Sequence, residues 1–185
     1  MAGPGDRKLW LALIVFVIVA DQLTKLAILS TPAFNAIDCL DVTVPCGQIE
    51  LSSVFDLTML WNRGISFGTF QSDGLMRWVL VLATSGIASA FIYWLLRAER
   101  WLTALSLALV VGGAIGNLID RVRFGAVVDF LDFSGPWFGA HIASWPVGFP
   151  WVFNIADAAI TVGAVLLFLD QFLMSRHSPD GKEGA

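Results

Sequence analysis

The chain has 185 residues, of which 57% are hydrophobic and only 14% charged, with a mean hydropathy of +0.75. That composition is far from a soluble domain's and points to insertion in a lipid bilayer. The formal net charge of −4 is spread along the chain with no acidic or basic block, which excludes a nucleic-acid surface and a polybasic lipid anchor.

The first apolar run, Leu9 to Leu29, is long enough to span, since a hydrocarbon core needs about 20 residues at helical rise. Arg7 and Lys8 ahead of Leu9 to Ala20 give it the look of a cleaved signal peptide. The run continues through Leu23 to Leu29, however, with no convincing A-x-A site, so a retained span is expected. Asp21 and Lys25 stand i, i+4 near its end, which puts them on one helix face as an ion pair.

Residues Ser30 to Gly74 follow, too long for a simple turn. Alternating or β-branched pieces such as Val42-Thr43-Val44 and Phe55-Asp56-Leu57-Thr58-Met59 predict a small extracytoplasmic β-structure. Cys39 and Cys46 lie here without the paired spacing of a zinc site. Two readings stay open for them, a disulfide if the segment faces an oxidising compartment and two unpaired small residues otherwise.

Three more spans are expected at Leu75 to Leu96, Trp101 to Leu118 and Ile155 to Met174. Gly86, Gly112, Gly113, Gly116 and Gly163 sit inside spans, and Gly112 with Gly116 makes a small-xxx-small spacing that lets helix backbones approach closely. The outer segment 119–154 is rich in Gly and Pro and carries Trp137, Trp145 and Trp151. It reads as irregular structure at the membrane interface. Arg7, Lys8, Arg97, Arg100, Arg176 and Lys182 flank the other ends of the spans, so both termini are expected in the cytoplasm.

Ionisable groups at the edges of apolar spans need a reason, because a charge at mid-bilayer costs about 2.5–3.5 kcal/mol even on lenient scales. Asp21 and Lys25 end span one; Asn117, Asp120 and Arg121 end span three; Asp129 lies just beyond, and Asn154 and Asp157 open span four. With alternating spans, all of these meet at one depth. Taken singly, each polar residue reads as a helix cap or a headgroup anchor. The convergence of the whole set reads as a site.

Two close carboxyls cannot both ionise easily, so one proton is shared, one group acts as base on a water and the other assists a carbonyl. Other hydrolytic chemistries fit less well. His141 and His177 fall on opposite sides, neither G-x-S-x-G nor H-E-x-x-H is present, and a Lys25 base with Ser30 or Ser66 would be kept charged by Asp21.

The blocks Asp21-Gln22-Leu23-Thr24-Lys25, Asn62-Arg63-Gly64-Ile65-Ser66-Phe67, Gly112-Gly113-Ala114-Ile115-Gly116-Asn117-Leu118-Ile119-Asp120-Arg121, Val127-Val128-Asp129-Phe130 and Phe153-Asn154-Ile155-Ala156-Asp157 occur in this order along nearly the whole chain. Together they resemble the lipoprotein signal peptidases, or signal peptidase II, a family of membrane aspartic proteases. The resemblance implies an all-α membrane protein, a four-helix transmembrane bundle with a small extracytoplasmic β-cradle, forming one peptidase domain over residues 1–185. It implies removal of a prolipoprotein's signal peptide just before a diacylglyceryl-modified cysteine, at the outer leaflet of the bacterial cytoplasmic membrane.

By position, Asp129 and Asp157 match the catalytic aspartates. Asn62, Asn117, Arg121 and Asn154 match residues that line the site and hold substrate, and Asp21 and Lys25 match a supporting pair, with Gly113 in the same structural role. No metal and no cofactor are expected; the partners are the lipidated substrate and membrane lipid, and the protein is taken as a monomer. Ser66 departs from an alanine common in the pattern, and the stretch from Asp129 to Asn154 is longer than in many members. The rival reading, a proton-coupled transporter, would show internal repeats or broken helices at mid-membrane, and neither is present.

Overall fold

The computed structural model describes residues 7–34, 36, 39–40, 45–64, 74–135, 141–142 and 145–177. Among them four helices are long and apolar enough to cross a membrane: α1 (Arg7–Leu29), α2 (Gly74–Leu95), α3 (Trp101–Phe124) and α4 (Ile155–His177). Three short strands, β1 (Gly47–Glu50), β2 (Asp56–Asn62) and β3 (Val127–Asp132), form an antiparallel sheet in the order β1-β2-β3. A two-stranded ribbon pairs β4 (His141–Ile142) with β5 (Trp145–Pro146), and a single 3-10 turn, Pro32–Phe34, follows α1.

The expected four-span bundle with a small β-structure is therefore what forms. Side chains such as Leu11, Phe16, Leu82 and Phe168 face outward, as an apolar solvent requires. α3 is the most buried of the four and the one the others pack around. Trp10, at the start of α1, meets Trp101, at the start of α3, with ring centroids 5.9 Å apart. At the same end Arg100, just before α3, pairs with Asp170, late in α4, at 2.6 Å. At the other end Asp21 of α1 accepts from the N–H of Ala156, in the first turn of α4. Helices α1 and α3 thus run parallel, with α4 antiparallel to both.

Glycines set how closely these helices approach. A Cβ on Gly113 would land on the carbonyl oxygen of Ala156 and 2.8 Å from Ile160 Cγ1, both on α4. A Cβ on Gly116 would lie 2.6 Å from Asp21 Oδ2 on α1. The packing is thus backbone on backbone, the usual way membrane helices gain dispersion contact.

Two boundaries differ from the sequence expectation. Span three was expected to stop at Leu118, before Asp120 and Arg121, but α3 runs on to Phe124. It ends where Gly125, in the left-handed region at φ 77, donates its N–H to the Arg121 carbonyl. The extra turns are tolerated because Asp120 points inward and is satisfied there by Lys25 and the Val128 N–H. The outer segment was expected to be irregular, yet residues 127–132 form β3, pairing with β2 at Leu60↔Asp129, Trp61↔Val128 and Asn62↔Val127. β3 is buried along almost its whole length, so its sequence lacks the alternation of a one-sided strand.

In the first outer segment, Phe55 to Met59 overlaps β2 as expected, while Val42 to Val44 and Ser66 lie outside the described residues. Cys39 and Cys46 are joined in a disulfide, with Cα atoms 5.7 Å apart. Cys39, Leu40 and Cys46 pack against a core of Ile28, Phe34, Met59, Trp61, Val128 and Phe130. Two carbonyls in and before this stretch hold the end of β2: Trp61 Nε1 donates to that of Ala36 at 2.9 Å, and Arg63 donates to that of Leu40.

Candidate active site

The sheet, the C-terminal ends of α1 and α3 and the N-terminal end of α4 converge on Asp129 and Asp157. Asp129 sits in β3 at 1% exposure. The backbone of Phe153 bridges to this strand, with its carbonyl accepting from Phe130 at 3.0 Å and Leu131 at 2.8 Å. That bridge delivers the next residue, Asn154, to the side of Asp129.

Asn154 is also the N-cap of α4. Its Oδ1 accepts the Asp157 N–H at 2.8 Å, and Asp157 Oδ2 accepts the Asn154 N–H at 3.3 Å, a reciprocal capping box with aspartate in the third helical position. Capping and convergence, which compete as explanations in the sequence, are thus both true of the same two residues.

Three asparagines turn their amide N–H₂ groups on the two carboxylates. Asn62 donates to Asp129 Oδ2 at 2.9 Å, Asn154 to Asp129 Oδ1 at 2.7 Å, and Asn117 to Asp157 Oδ1 at 2.7 Å. In each case the amide oxygen faces an unambiguous donor: the Gly64 N–H for Asn62 at 2.9 Å, Lys25 Nζ for Asn117 at 3.0 Å and the Asp157 N–H for Asn154. An ammonium or a backbone N–H can only donate, so the amide orientations are fixed by chemistry.

Burial, and then the nearby charge of Asp157, push the Asp129 carboxyl up to about 7, although hydrogen bonds from Asn62 and Asn154 work the other way. Asp157 is only half-buried. One carboxyl is therefore deep and able to hold a proton near neutral pH, and the other is more accessible. Elsewhere on β3, Asp132 is also desolvated, but donors from Ser134 and Thr58 outweigh that and hold it below the usual carboxylate range.

Behind the pair, Lys25 is buried between Asp21 Oδ2 at 2.9 Å and Asp120 Oδ2 at 2.8 Å. The i, i+4 pair expected from sequence is present and is extended by a second carboxylate. Gln22, which the sequence reading quoted only within a motif, joins this group by donating to Asp21 at 3.1 Å and Asp120 at 3.0 Å. Arg121 lies close enough to interact electrostatically with Asp157, Asp129 and Asp120, and its buried Nε has no hydrogen-bond partner. Gly113 and Gly116 stand beside the group at the close contacts of α3 with α4 and α1.

Every site residue named from sequence thus lies in or against this one cluster. Among the described residues no group of His, Cys, Asp and Glu has the arrangement of a metal site. One buried polar cluster was missed. Asp170, at 0% exposure, takes the Thr103 hydroxyl and Arg100 at the far end of the bundle. A carboxylate inside the fourth apolar run, on the same side as the Arg97 to Arg100 turn, was the available signal.

Residues 13–173 match the family described as signal peptidase (SPase) II. A lipoprotein signal peptidase of Burkholderia vietnamiensis is 43% identical over 90% of this chain and 89% of its own length. One of Burkholderia ambifaria is 43% identical over 94% and 93%. Two solved bacterial membrane enzymes share the fold, with TM-scores of 0.72 and 0.71 at 24% and 27% identity, covering 100% and 98% of this chain and 99% of each of theirs. With its spans, its cradle and its polar cluster at the sheet end, the chain belongs to the signal peptidase II family, which makes it a membrane protease.

Proposed function

We propose that this chain removes the signal peptide of a prolipoprotein by cleaving just before a diacylglyceryl-modified cysteine, with Asp129 and Asp157 as an aspartic pair. The observation that carries the reading is the shared Asn154, which donates to Asp129 from its amide and to Asp157 from its backbone. One residue thus fixes the separation of the two carboxyls.

In the proposed reaction Asp129 holds the shared proton, since its carboxyl is pushed up to about 7, and hydrogen-bonds the scissile carbonyl. Asp157 takes a proton from a water whose oxygen attacks the carbonyl carbon. Collapse of the tetrahedral intermediate breaks the C–N bond, and the leaving cysteine nitrogen takes up a proton from the pair. Asn62, Asn117 and Asn154 keep the carboxyls oriented, and the free Nε of Arg121 is a donor for a substrate carbonyl. A purified sample with a diacylglyceryl-modified prolipoprotein, followed by mass spectrometry, should release the signal peptide and leave the lipidated cysteine as the new N-terminus. No cleavage, or cleavage elsewhere, would overturn the reading.

The same proposal places the site at the outer leaflet of the cytoplasmic membrane, with both termini inside and the residues of 1–185 acting as one domain and as a monomer. Arg7, Lys8, Arg97 and Arg100 lie at the end away from the cluster, as cytoplasmic flanks do. The Cys39–Cys46 disulfide fits an oxidising compartment at the other end. The substrate's acyl chains, at about 0.8 kcal/mol per buried CH₂, hold the scissile bond at that depth. Labelling of single cysteines from the outside should mark the 30–74 segment and spare the Arg97 to Arg100 turn. The reverse pattern would invert the topology.

A further inference from the structure

We infer that Lys25 is a positioning residue for the reaction, acting through the amide of Asn117 on Asp157. The inference rests on the proposed catalytic roles of Asp129 and Asp157. Lys25 is 2% exposed and reaches three acceptors: Asp21 at 2.9 Å, Asp120 at 2.8 Å and Asn117 Oδ1 at 3.0 Å. Two of these satisfy its charge. The third does something an ion pair alone would not require.

An asparagine amide can sit in two orientations that differ by exchange of its oxygen and nitrogen. With Nδ2 toward Asp157 it donates to the carboxylate; flipped, it would set its oxygen lone pairs against that carboxylate and its N–H₂ against the ammonium. Lys25 has no acceptor, so it rejects the flipped state outright. Asn154 Nδ2 also approaches Asn117 Oδ1 at 3.1 Å, but the same nitrogen lies 3.2 Å from the Val128 carbonyl and 2.7 Å from Asp129. Its two hydrogens are divided among three acceptors, and Lys25 supplies the undivided donor. Asn62 and Asn154 take their orientation from backbone N–H groups. For Asn117 that task falls to a side chain on another helix, far away in sequence.

The test is a double-mutant cycle on the full-length protein, reading kcat and KM with lipidated substrate. Lys25→Met and Asn117→Ala should each lower kcat by about 10- to 100-fold with KM held within about threefold. Lys25→Met/Asn117→Ala should be no slower than Asn117→Ala alone, because the group through which Lys25 acts is already gone. Losses that multiply, a loss confined to KM, or an unchanged kcat in Lys25→Met would each overturn the inference and return Lys25 to a purely structural role. If Lys25→Met does not accumulate, the same cycle is run on an Asp21→Asn background, where the variant that also carries Lys25→Met has the wild-type net charge in the buried group. Asp157→Asn is carried alongside. Near wild-type turnover in that variant would overturn the catalytic reading itself, an outcome distinct from multiplying losses in the cycle.

Discussion

Asp129→Asn and Asp157→Asn are each expected to lose about 10² to 10⁴ or more in turnover, the usual size of a general acid–base contribution. Binding of lipidated substrate should survive, because Arg121, the asparagines and the apolar contacts remain. The proposed reaction needs a proton on Asp129, whose carboxyl is pushed up to about 7, so the rate should fall as pH rises past that value. Asp129→Asn should also change stability, in a direction set by linkage. The carboxyl is raised from its ordinary 3.8 to about 7, so between those values the folded chain holds more protons than the unfolded one. Wild-type stability therefore falls as pH rises across that window, and the penalty is complete above it.

Asparagine removes the penalty, with a ceiling of about 4 kcal/mol at 1.36 per unit, less about 1 kcal/mol for an impaired hydrogen bond. Asp129→Asn should then melt above wild type at pH 8 and at or below it at pH 4. Near wild-type cleavage by either variant would rule out the aspartic mechanism. A gain in melting temperature that ignored pH would rule out the cause given for the shift.

Gly113→Ala is expected to damage both fold and activity far more than its single methyl suggests. The added carbon meets the backbone oxygen of Ala156, which has no rotamer to yield, and the Ile160 side chain at 2.8 Å. α4 must shift at its first turn, carrying Asn154 and Asp157 with it. Overpacking of this kind costs about 1–3 kcal/mol, and the displacement bears directly on the reacting groups. Gly86→Ala is the matched control, since nothing lies within 4 Å of its added carbon, and alanine is the better helix former. The comparison is melting temperature in detergent and turnover of both variants. Equal behaviour of the two would mean that the close approach of α3 and α4 is not needed.

The spans were legible because hydrocarbon permits so few backbone solutions that length and composition nearly determine them. The polar cluster was legible because charge near lipid is rare enough to stand out, and alternating spans bring its members to one depth. Local pairing was harder to read. β3 shows no simple alternation since both its faces are covered, and the last turns of α3 look like a loop since their first polar residue, Asp120, faces protein. The disulfide was left open because the spacing of Cys39 and Cys46 allows pairing but does not demand it. Asp170 was passed over because one carboxylate in a long apolar run changes its average little, while its partners Arg100 and Thr103 lie at the start of a different span.

The cluster draws Asp21 and Lys25 from the first helix, Asn117 and Arg121 from the third and Asp129 from a strand, but Asn154 and Asp157 come only with the last helix. During synthesis, a chain that has not yet extended past residue 154 carries Asp129 without its second carboxyl and without the amide that spaces them. On the proposed mechanism the protease would be silent while it is being threaded into the bilayer among other nascent chains, and its competence would arrive in one step with the fourth span.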